Sequence, residues 1–377
     1  MPPWWKIRRE LTRPLKQLIT LPANLSTWLW GSWYFDSFKK VQRLDGCSQK
    51  KAKAAVFVIF PREGTLLRSH LRSIQFLNRN GYDVTLVSNA PLQQSSINEA
   101  LPFVTTLIIR PNFGYDFGGY RQGILDLLRN KELRLSHLLL VNDSCWFPAS
   151  QETDWIQIAE AKDKDLIGLT PKYGLIKKTR PDDQLVWRQD TSSRNFHYCS
   201  FALLFSGRLI YDPKFFDFWS KLALTNRKSR VVRRGEIGLT QFALRNGFSY
   251  GSTIDVEVLQ DHLNALEDQE LSVVFDNLLI PWDRELQIEY NSICLEKTHL
   301  RRDLIQFIMK SISKQGLEYG LAYFSIKHLQ NPFLKKSIFN SGKVSQQALQ
   351  KITAIIDKDL AWEITEEINR GKARKVI

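Results

Sequence analysis

Two polar clusters, each at the end of an apolar run, carry the chemistry this sequence can do. The first is Arg110-Pro111-Asn112-Phe113-Gly114-Tyr115-Asp116-Phe117-Gly118-Gly119-Tyr120. It follows a mostly apolar run over 104–109 that reads as a buried strand, and a helix-like stretch over 120–129 follows it. Gly114, Gly118 and Gly119 let the backbone come close to a ligand or take positive φ. Arg110, Asn112, Asp116 and Tyr120 set a cation, an amide, a carboxylate and a phenol beside them. The second cluster is Asn142-Asp143-Ser144, directly after Leu138-Leu139-Leu140-Val141. A lone carboxylate at a strand end can hold a divalent cation against a diphosphate. A strand that opens through a Gly-rich turn into a helix is where α/β sheets bind nucleotides. The two clusters together suggest a nucleotide-sugar site.

The elements that must position them alternate. Strands are expected at 54–60, 83–88, 105–109, 138–142, 166–169 and 201–206, and helices at 66–80, 215–224 and 236–246. The β-α-β-α spacing predicts an α/β fold, a mostly parallel central sheet with helices on both faces. Ligand-binding groups then collect at the carboxyl ends of the strands, where both clusters fall. Residues 171–197 are polar and read as a loop over the site. Residues 260–290 read as acidic and irregular, and 300–377 as helical, with an amphipathic stretch over 317–333.

At 377 residues, 43% hydrophobic and 24% charged, the chain has a globular composition. Its net charge is +14, unevenly placed. Residues 1–53 hold eleven Lys and Arg against three acids, together with Trp4, Trp5, Trp28, Trp30 and Trp33. Cations mixed with tryptophan favour a membrane surface. A basic leader with no partner is the plainer reading. Nucleic acid is not expected as a partner, because no helix-turn-helix, zinc-finger or RNA-binding signature is present. No run reaches the roughly 20 apolar residues of a membrane span, and Arg13, Pro14, Lys16 and Pro22 interrupt any secretory signal. Cys47, Cys145, Cys199 and Cys294 lie far apart, which predicts reduced cysteines of a cytoplasmic protein.

The two clusters, with Pro148, Gly168-Leu169-Thr170, His197-Tyr198-Cys199-Ser200-Phe201, Glu236-Ile237-Gly238-Leu239-Thr240 and Gly247, resemble the rhamnan synthesis protein F family of glycosyltransferases. The resemblance covers roughly residues 54–255, in order. It implies a GT-A-like enzyme that uses a nucleotide-sugar donor, rhamnose being the expected sugar, to build cell-envelope polysaccharide on a glycan or lipid-linked acceptor. The organisation expected is a membrane-surface leader over 1–53, the GT-A-like transferase domain over 54–255, and a mostly helical region over 256–377. The protein would work at the inner face of the membrane, on its periphery. A usual GT-A metal motif is Asp-x-Asp, whereas Asn142-Asp143-Ser144 has one carboxylate.

Transfer needs a neutralised leaving group and a base for the acceptor hydroxyl. Asp143 is the candidate for metal-mediated neutralisation, through Mg²⁺ or Mn²⁺; an Asx-turn is its structural alternative. Asp116 and Asn112 are candidates for sugar or ribose hydroxyls, with Asp116 as a helix cap the alternative. Arg110 can pair with phosphate or with a surface acid. Glu236 follows the cations Arg227, Lys228, Arg230, Arg233 and Arg234 and is the candidate base; a first-turn Glu favoured by the helix dipole is the alternative. His197 can orient a sugar or phosphate, or serve the structure alone. Inverting transfer is the leading reading. The second is a non-catalytic scaffold in a polysaccharide assembly complex, and the third a nucleotidyltransferase.

Overall fold

The computed structural model describes residues 40–48, 51–61, 63–129, 133–179, 185–295, 300–340 and 346–373. An eight-stranded sheet runs through it in the spatial order Gln42–Asp45, Thr106–Ile109, Tyr82–Ser88, Lys53–Ile59, His137–Asn142, Ala202–Ser206, Leu166–Gly168, Tyr250–Ser252. The four strands from Thr106–Ile109 to His137–Asn142 are mutually parallel. Tyr250–Ser252 is parallel to Leu166–Gly168. Ala202–Ser206 runs against both its neighbours, and Gln42–Asp45 forms an antiparallel edge. Four of the seven pairings are therefore parallel.

The apolar run of the Lys53–Ile59 strand is continuous because both faces of the sheet are covered. Its side chains alternate between two cores, as a period of two requires. Ala55, Phe57 and Ile59 pack with the Arg68–Arg79 helix and with C-terminal side chains such as Ile308 and Phe333. Ala54, Val56 and Val58 pack with the Tyr115–Arg129, Pro213–Ser220 and Gly238–Arg245 helices. Each expected strand lies within a residue or two of its place, and helices cover both faces.

The departures have physical reasons. Residues 260–290 are helical rather than irregular, as Leu259–Asn264, Asp268–Asp276 and the start of Arg284–Leu295. Leu259 and Leu263, then Leu271, Val274 and Phe275, are buried at helical spacing. The acids that make this stretch look irregular, Asp261, Asp268 and Glu270, sit in first turns, where the helix dipole favours them. The polar excursion contains a ribbon, Leu175–Thr179 against Leu185–Gln189. Being largely exposed, that ribbon needs no apolar alternation. Gln42–Asp45, inside the stretch expected to be leader, belongs to the sheet, and Arg43 there pairs with Asp126 at 3.1 Å. Residues 1–39 lie outside the described residues. No helix among the described residues is long and apolar enough to cross a membrane.

The C-terminal region shares one core with the sheet, so residue 255 does not divide two cores. A two-residue strand, Leu334–Lys335, pairs antiparallel with Cys145–Trp146, immediately after the Asp143 turn. Phe333 stacks on Phe147 with ring centroids 4.4 Å apart. The Lys358–Ala373 helix returns to the Arg68–Arg79 helix, where Glu363 takes Arg72 at 3.0 and 3.1 Å.

Candidate active site

Asn142 closes the His137–Asn142 strand and organises the turn beyond it. Its Oδ1 accepts from the Ser144 amide at 3.0 Å and from the Ser144 hydroxyl, and its Nδ2 donates to Asp116 Oδ2 at 3.2 Å. Asn142, not Asp143, therefore makes the Asx-turn. This frees Asp143 to point off the strand end. Its amide donates to Val58 O at 3.0 Å, and its Oδ2 accepts from the Phe60 amide at 2.8 Å. The carboxylate is thereby tied to the end of the neighbouring parallel strand, with its side chain 20% exposed.

His70, in the first turn of the Arg68–Arg79 helix, stands behind Asp143. Its Nδ1 accepts from the Leu67 amide at 3.2 Å, which leaves the proton on Nε2, 3.5 Å from Asp143 Oδ2. Burial pushes the Asp143 carboxyl up. The His70 Nε2–H that faces it, Lys336 and the Phe60 amide outweigh that and hold it below the ordinary carboxylate range. Asp116 goes the other way. Burial first, then the repulsion of Asp143, push it up to about 6. Glu236 adds to the rise, while Lys335 and Lys228 oppose it. Two neighbouring carboxyls thus differ in proton affinity: Asp143 faces His70, Lys336 and the Phe60 amide, whereas Asp116 has the Asn142 amide against its burial and the Asp143 charge.

Glu236 reaches the same place by another route. Tyr120, one turn beyond Asp116, donates its hydroxyl to Ser200 O at 2.7 Å. Ser200 in turn donates its amide and hydroxyl to Glu236 Oε1 at 2.8 and 2.9 Å. Asp116, Asp143 and Glu236 therefore face one cleft, linked through Asn142, Tyr120 and Ser200. Asn112 is partly exposed at its lip, and among the described residues its side chain makes no protein hydrogen bond.

Five predicted site residues are buried against protein: Tyr120, described above, Gly114, where a Cβ would meet Leu224 at 2.8 Å, and Arg110, Gly118 and His197. Arg110 is 2% exposed and bonds Asn89 Oδ1 and Phe113 O, both at 2.6 Å. It braces the Gly-rich turn from below and has no reach to a phosphate. A Cβ on Gly118 would stand 2.1 Å from Phe113 O, so Gly118 makes room for protein rather than ligand. His197 is buried, with Nδ1 2.7 Å from Asn195 O and its ring against Tyr173. Gly114 does have the positive φ expected of it, +82°. Tyr115 follows at 51°, its hydroxyl anchored on Asn226 O at 2.9 Å.

The residues the sequence reading missed are mostly cations. Lys335 ends the strand that pairs with Cys145–Trp146, and Lys336 follows it. The Lys336 amide bonds Ser144 O at 3.0 Å, and the Lys335 ammonium bonds Ser144 Oγ at 2.9 Å. Lys336 Nζ meets Glu367 Oε2 at 2.9 Å. A divalent cation fits this set poorly. Among the described residues no three His, Cys, Asp or Glu side chains converge at ligand spacing. One Asp143 oxygen is already engaged, and an ammonium group borders the turn. Cavities of about 520 and 380 Å³ lie away from these carboxylates, around Tyr198 and Tyr250 and around Leu128 and Phe216. Convergent charge, not volume, singles out the cleft.

The family described as Rhamnan synthesis protein F matches residues 84–315. An uncharacterized protein, y4gN, of Sinorhizobium fredii is 28% identical over 62% of this chain and 56% of its own length. The virulence protein VirA of Vibrio anguillarum is 37% identical over 26% of this chain and 32% of its own. The chain thus spans about half or less of these relatives. Among solved structures, a 4-diphosphocytidyl-2C-methyl-D-erythritol synthase covers 60% of this chain and 98% of its own at TM-score 0.31 and 16% identity. The mannosyltransferase Ktr4p of S. cerevisiae covers 53% and 68% at TM-score 0.29 and 11% identity. The mannosyltransferase PcManGT of Pyrobaculum calidifontis, solved with GDP-Man and Mn²⁺, covers 95% and 96% at TM-score 0.31 and 11% identity.

Proposed function

Because the chain belongs to the rhamnan synthesis protein F family, we propose that it is an inverting, GT-A-like glycosyltransferase. It moves a sugar, rhamnose being the one the family implies, from a nucleotide-sugar donor to a glycan or lipid-linked acceptor. One observation carries this reading: Asp116, Asp143 and Glu236 meet at the carboxyl ends of parallel strands, joined through Asn142, Tyr120 and Ser200. That is where an α/β sheet takes a nucleotide.

In this mechanism Glu236, positioned by Ser200, accepts the proton of the acceptor hydroxyl. The acceptor oxygen bonds to the anomeric carbon from the face opposite the nucleotide. The bond from that carbon to the phosphate oxygen breaks, and its electron pair leaves on the nucleoside diphosphate. Asp116 and Asn112 hold donor hydroxyls. Asp143, kept ionised by His70 and the Phe60 amide, orients the donor at the end of the Lys53–Ile59 strand. The full chain mixed with a panel of nucleotide sugars and short glycan acceptors should release nucleoside diphosphate from one of them. If no donor binds and none is consumed, the reading is wrong. The scaffold reading draws on the single carboxylate of the Asn142-Asp143-Ser144 turn; donor binding without turnover is its signature.

The same reading sets the protein on the cytoplasmic face of a membrane through its basic, tryptophan-bearing leader. Each cation near an anionic surface contributes about 1 kcal/mol. Binding to anionic vesicles should fall with salt. It should be lost when residues 1–39 are removed, a cut that spares the Gln42–Asp45 edge strand. Equal binding by both forms would remove the leader from the mechanism.

A further inference from the structure

Lys335 is a buried cation whose ammonium is committed to very little protein. It is only 9% exposed. Its Nζ bonds Ser144 Oγ at 2.9 Å and lies 4.1 Å from the centre of the Phe201 ring and 6.0 Å from that of Tyr319. Among the described residues it makes no ion pair. Glu318, the buried acid in its neighbourhood, is already bonded by Lys172 at 3.2 Å. Lys336 next to it is spoken for by Glu367. An ammonium group has three donors, and Ser144 takes one. Glu318 and Asp116 act on its charge through space, but among the described residues two of its donors are left without acceptors at that depth, which carries a cost. The fold nevertheless places it there: the pairing of Leu334–Lys335 with Cys145–Trp146 sets Lys335 opposite Cys145, two residues after Asp143.

The chemistry that would relieve this cost is an anion at the mouth of the Asp143 turn. A usual transferase site of this class would neutralise the leaving diphosphate with a metal held by two carboxylates. Here the turn has one carboxylate, and the ligand set fits a divalent cation poorly. We propose that Lys335 binds the β-phosphate of the donor's diphosphate, doing from the C-terminal region what a metal would otherwise do from the turn. A fixed ammonium bonds a phosphate oxygen with a charge-assisted hydrogen bond and needs no metal to do so. In the transfer step the electron pair of the breaking bond between sugar carbon and oxygen arrives on a phosphate held by Lys335. The lysine keeps its proton throughout. The Phe201 and Tyr319 rings limit where the ammonium can move, so the charge is positioned before the donor arrives.

This inference rests on the nucleotide-sugar reading, and the test separates the two. Binding of UDP, dTDP and GDP to the full-length protein is measured by calorimetry, once with Mg²⁺ and once with EDTA. The wild-type protein should bind one of them with affinities within about threefold in the two buffers. Lys335→Met should weaken that binding about 10- to 100-fold, the range for a hydrogen bond to a charged group. It should leave the matching nucleoside monophosphate nearly unaffected. Lys335→Arg keeps the charge and should retain binding within about tenfold. Wild-type diphosphate binding that is unchanged in Lys335→Met would overturn the inference and leave the nucleotide-sugar reading standing. Binding that collapses in EDTA would also overturn it, returning neutralisation to a metal. If no nucleoside diphosphate binds the wild-type protein, the nucleotide-sugar reading itself falls, and the role of Lys335 with it.

Discussion

The cleft has an acidic half and a basic half, and the two are held in place differently. Asp116 and Asp143 stand on turns that leave a continuous sheet, Glu236 stands within the helical run over 228–245, and short bonds through Asn142 and Ser200 hold them. Lys335 and Lys336 stand on a two-residue strand from the C-terminal region and the residue after it. A two-residue ladder and the Lys336 amide tie that strand to the Asp143 turn, and side chains add to that: Phe333 on Phe147, Lys336 and Trp146 on Glu367, and Arg72 on Glu363. Ser69 also bonds Glu367. The acidic half is therefore as rigid as the backbone ladder. The basic half rests on a two-residue ladder, a handful of ion pairs and one aromatic stack. Chemistry that must not shift is better placed on the first, and charge that must admit and release an anion on the second.

The largest effect should come from the acidic half. Glu236→Gln keeps the shape and can still accept from Ser200, but it cannot take a proton. Turnover should fall about 10²- to 10⁴-fold, the usual contribution of a general base. Donor affinity should change by less than about threefold, because the proton moves only in the transition state. Steady-state kinetics with calorimetric donor binding would separate the two. Near-normal turnover would strip Glu236 of the role. It would pass to Asp116, whose raised proton affinity suits a base near neutral pH.

The second effect tests the fastening of the basic half. Arg72 and Glu363 are about nine-tenths buried on their side chains and form a two-bond pair. Glu363→Ala leaves Arg72 without its carboxylate and should cost about 3 kcal/mol. Loss should concentrate on one side of the cleft. Hydrogen exchange at residues 333–336 should speed up markedly, while the His137–Asn142 strand keeps its protection. Equal loosening of both regions would show that they are one cooperative unit, and the two halves would then not differ in how they are held.

The same division explains what could be read from the residues alone. The acidic half is local in sequence: a buried apolar run, a turn and a polar residue make a strand end legible wherever they occur. The sheet, the Gly-rich turn, Asp116 and Asp143 were accessible for that reason. Arg110 misled because a cation at a strand end looks alike whether it points out to a phosphate or under the turn to Phe113 O. Lys335 was hidden because its role comes from pairing with Cys145, far away in the chain and on a strand two residues long. Two adjacent lysines after Phe333-Leu334 were the only local signal, and most such pairs are solvated. His70 was hidden similarly: a first-turn histidine reveals nothing about a carboxylate that meets it across the sheet.

The smallest effect concerns the proton balance between the two carboxyls, and it should build up between about pH 4 and 6. Asp116 has its carboxyl raised from the ordinary 3.8 to about 6 in the folded protein, by burial and by Asp143. The folded state therefore holds that proton more tightly than the unfolded chain does. Its contribution to stability is complete below about pH 4 and is lost as pH rises through 6. At pH 8 the wild-type protein carries a cost of at most about 3 kcal/mol, two pH units at roughly 1.4 kcal/mol each. Partial exposure of Asp116 lowers that figure. Asp116→Asn has no charge to bury, so it should be more stable than wild type at pH 8 and indistinguishable from it at pH 4. Asp143 has the opposite sign: its carboxyl lies below the ordinary value, so its contribution is present at neutral pH and lost as pH falls beneath about 4. Urea melts of wild type and Asp116→Asn should then diverge between about pH 4 and 6 and keep a constant separation above that. Parallel curves would mean that Lys335 and Lys228 already neutralise Asp116 in the free protein. The Lys335 ammonium would then not be waiting for a phosphate, and the acidic and basic halves would be partners before any donor binds.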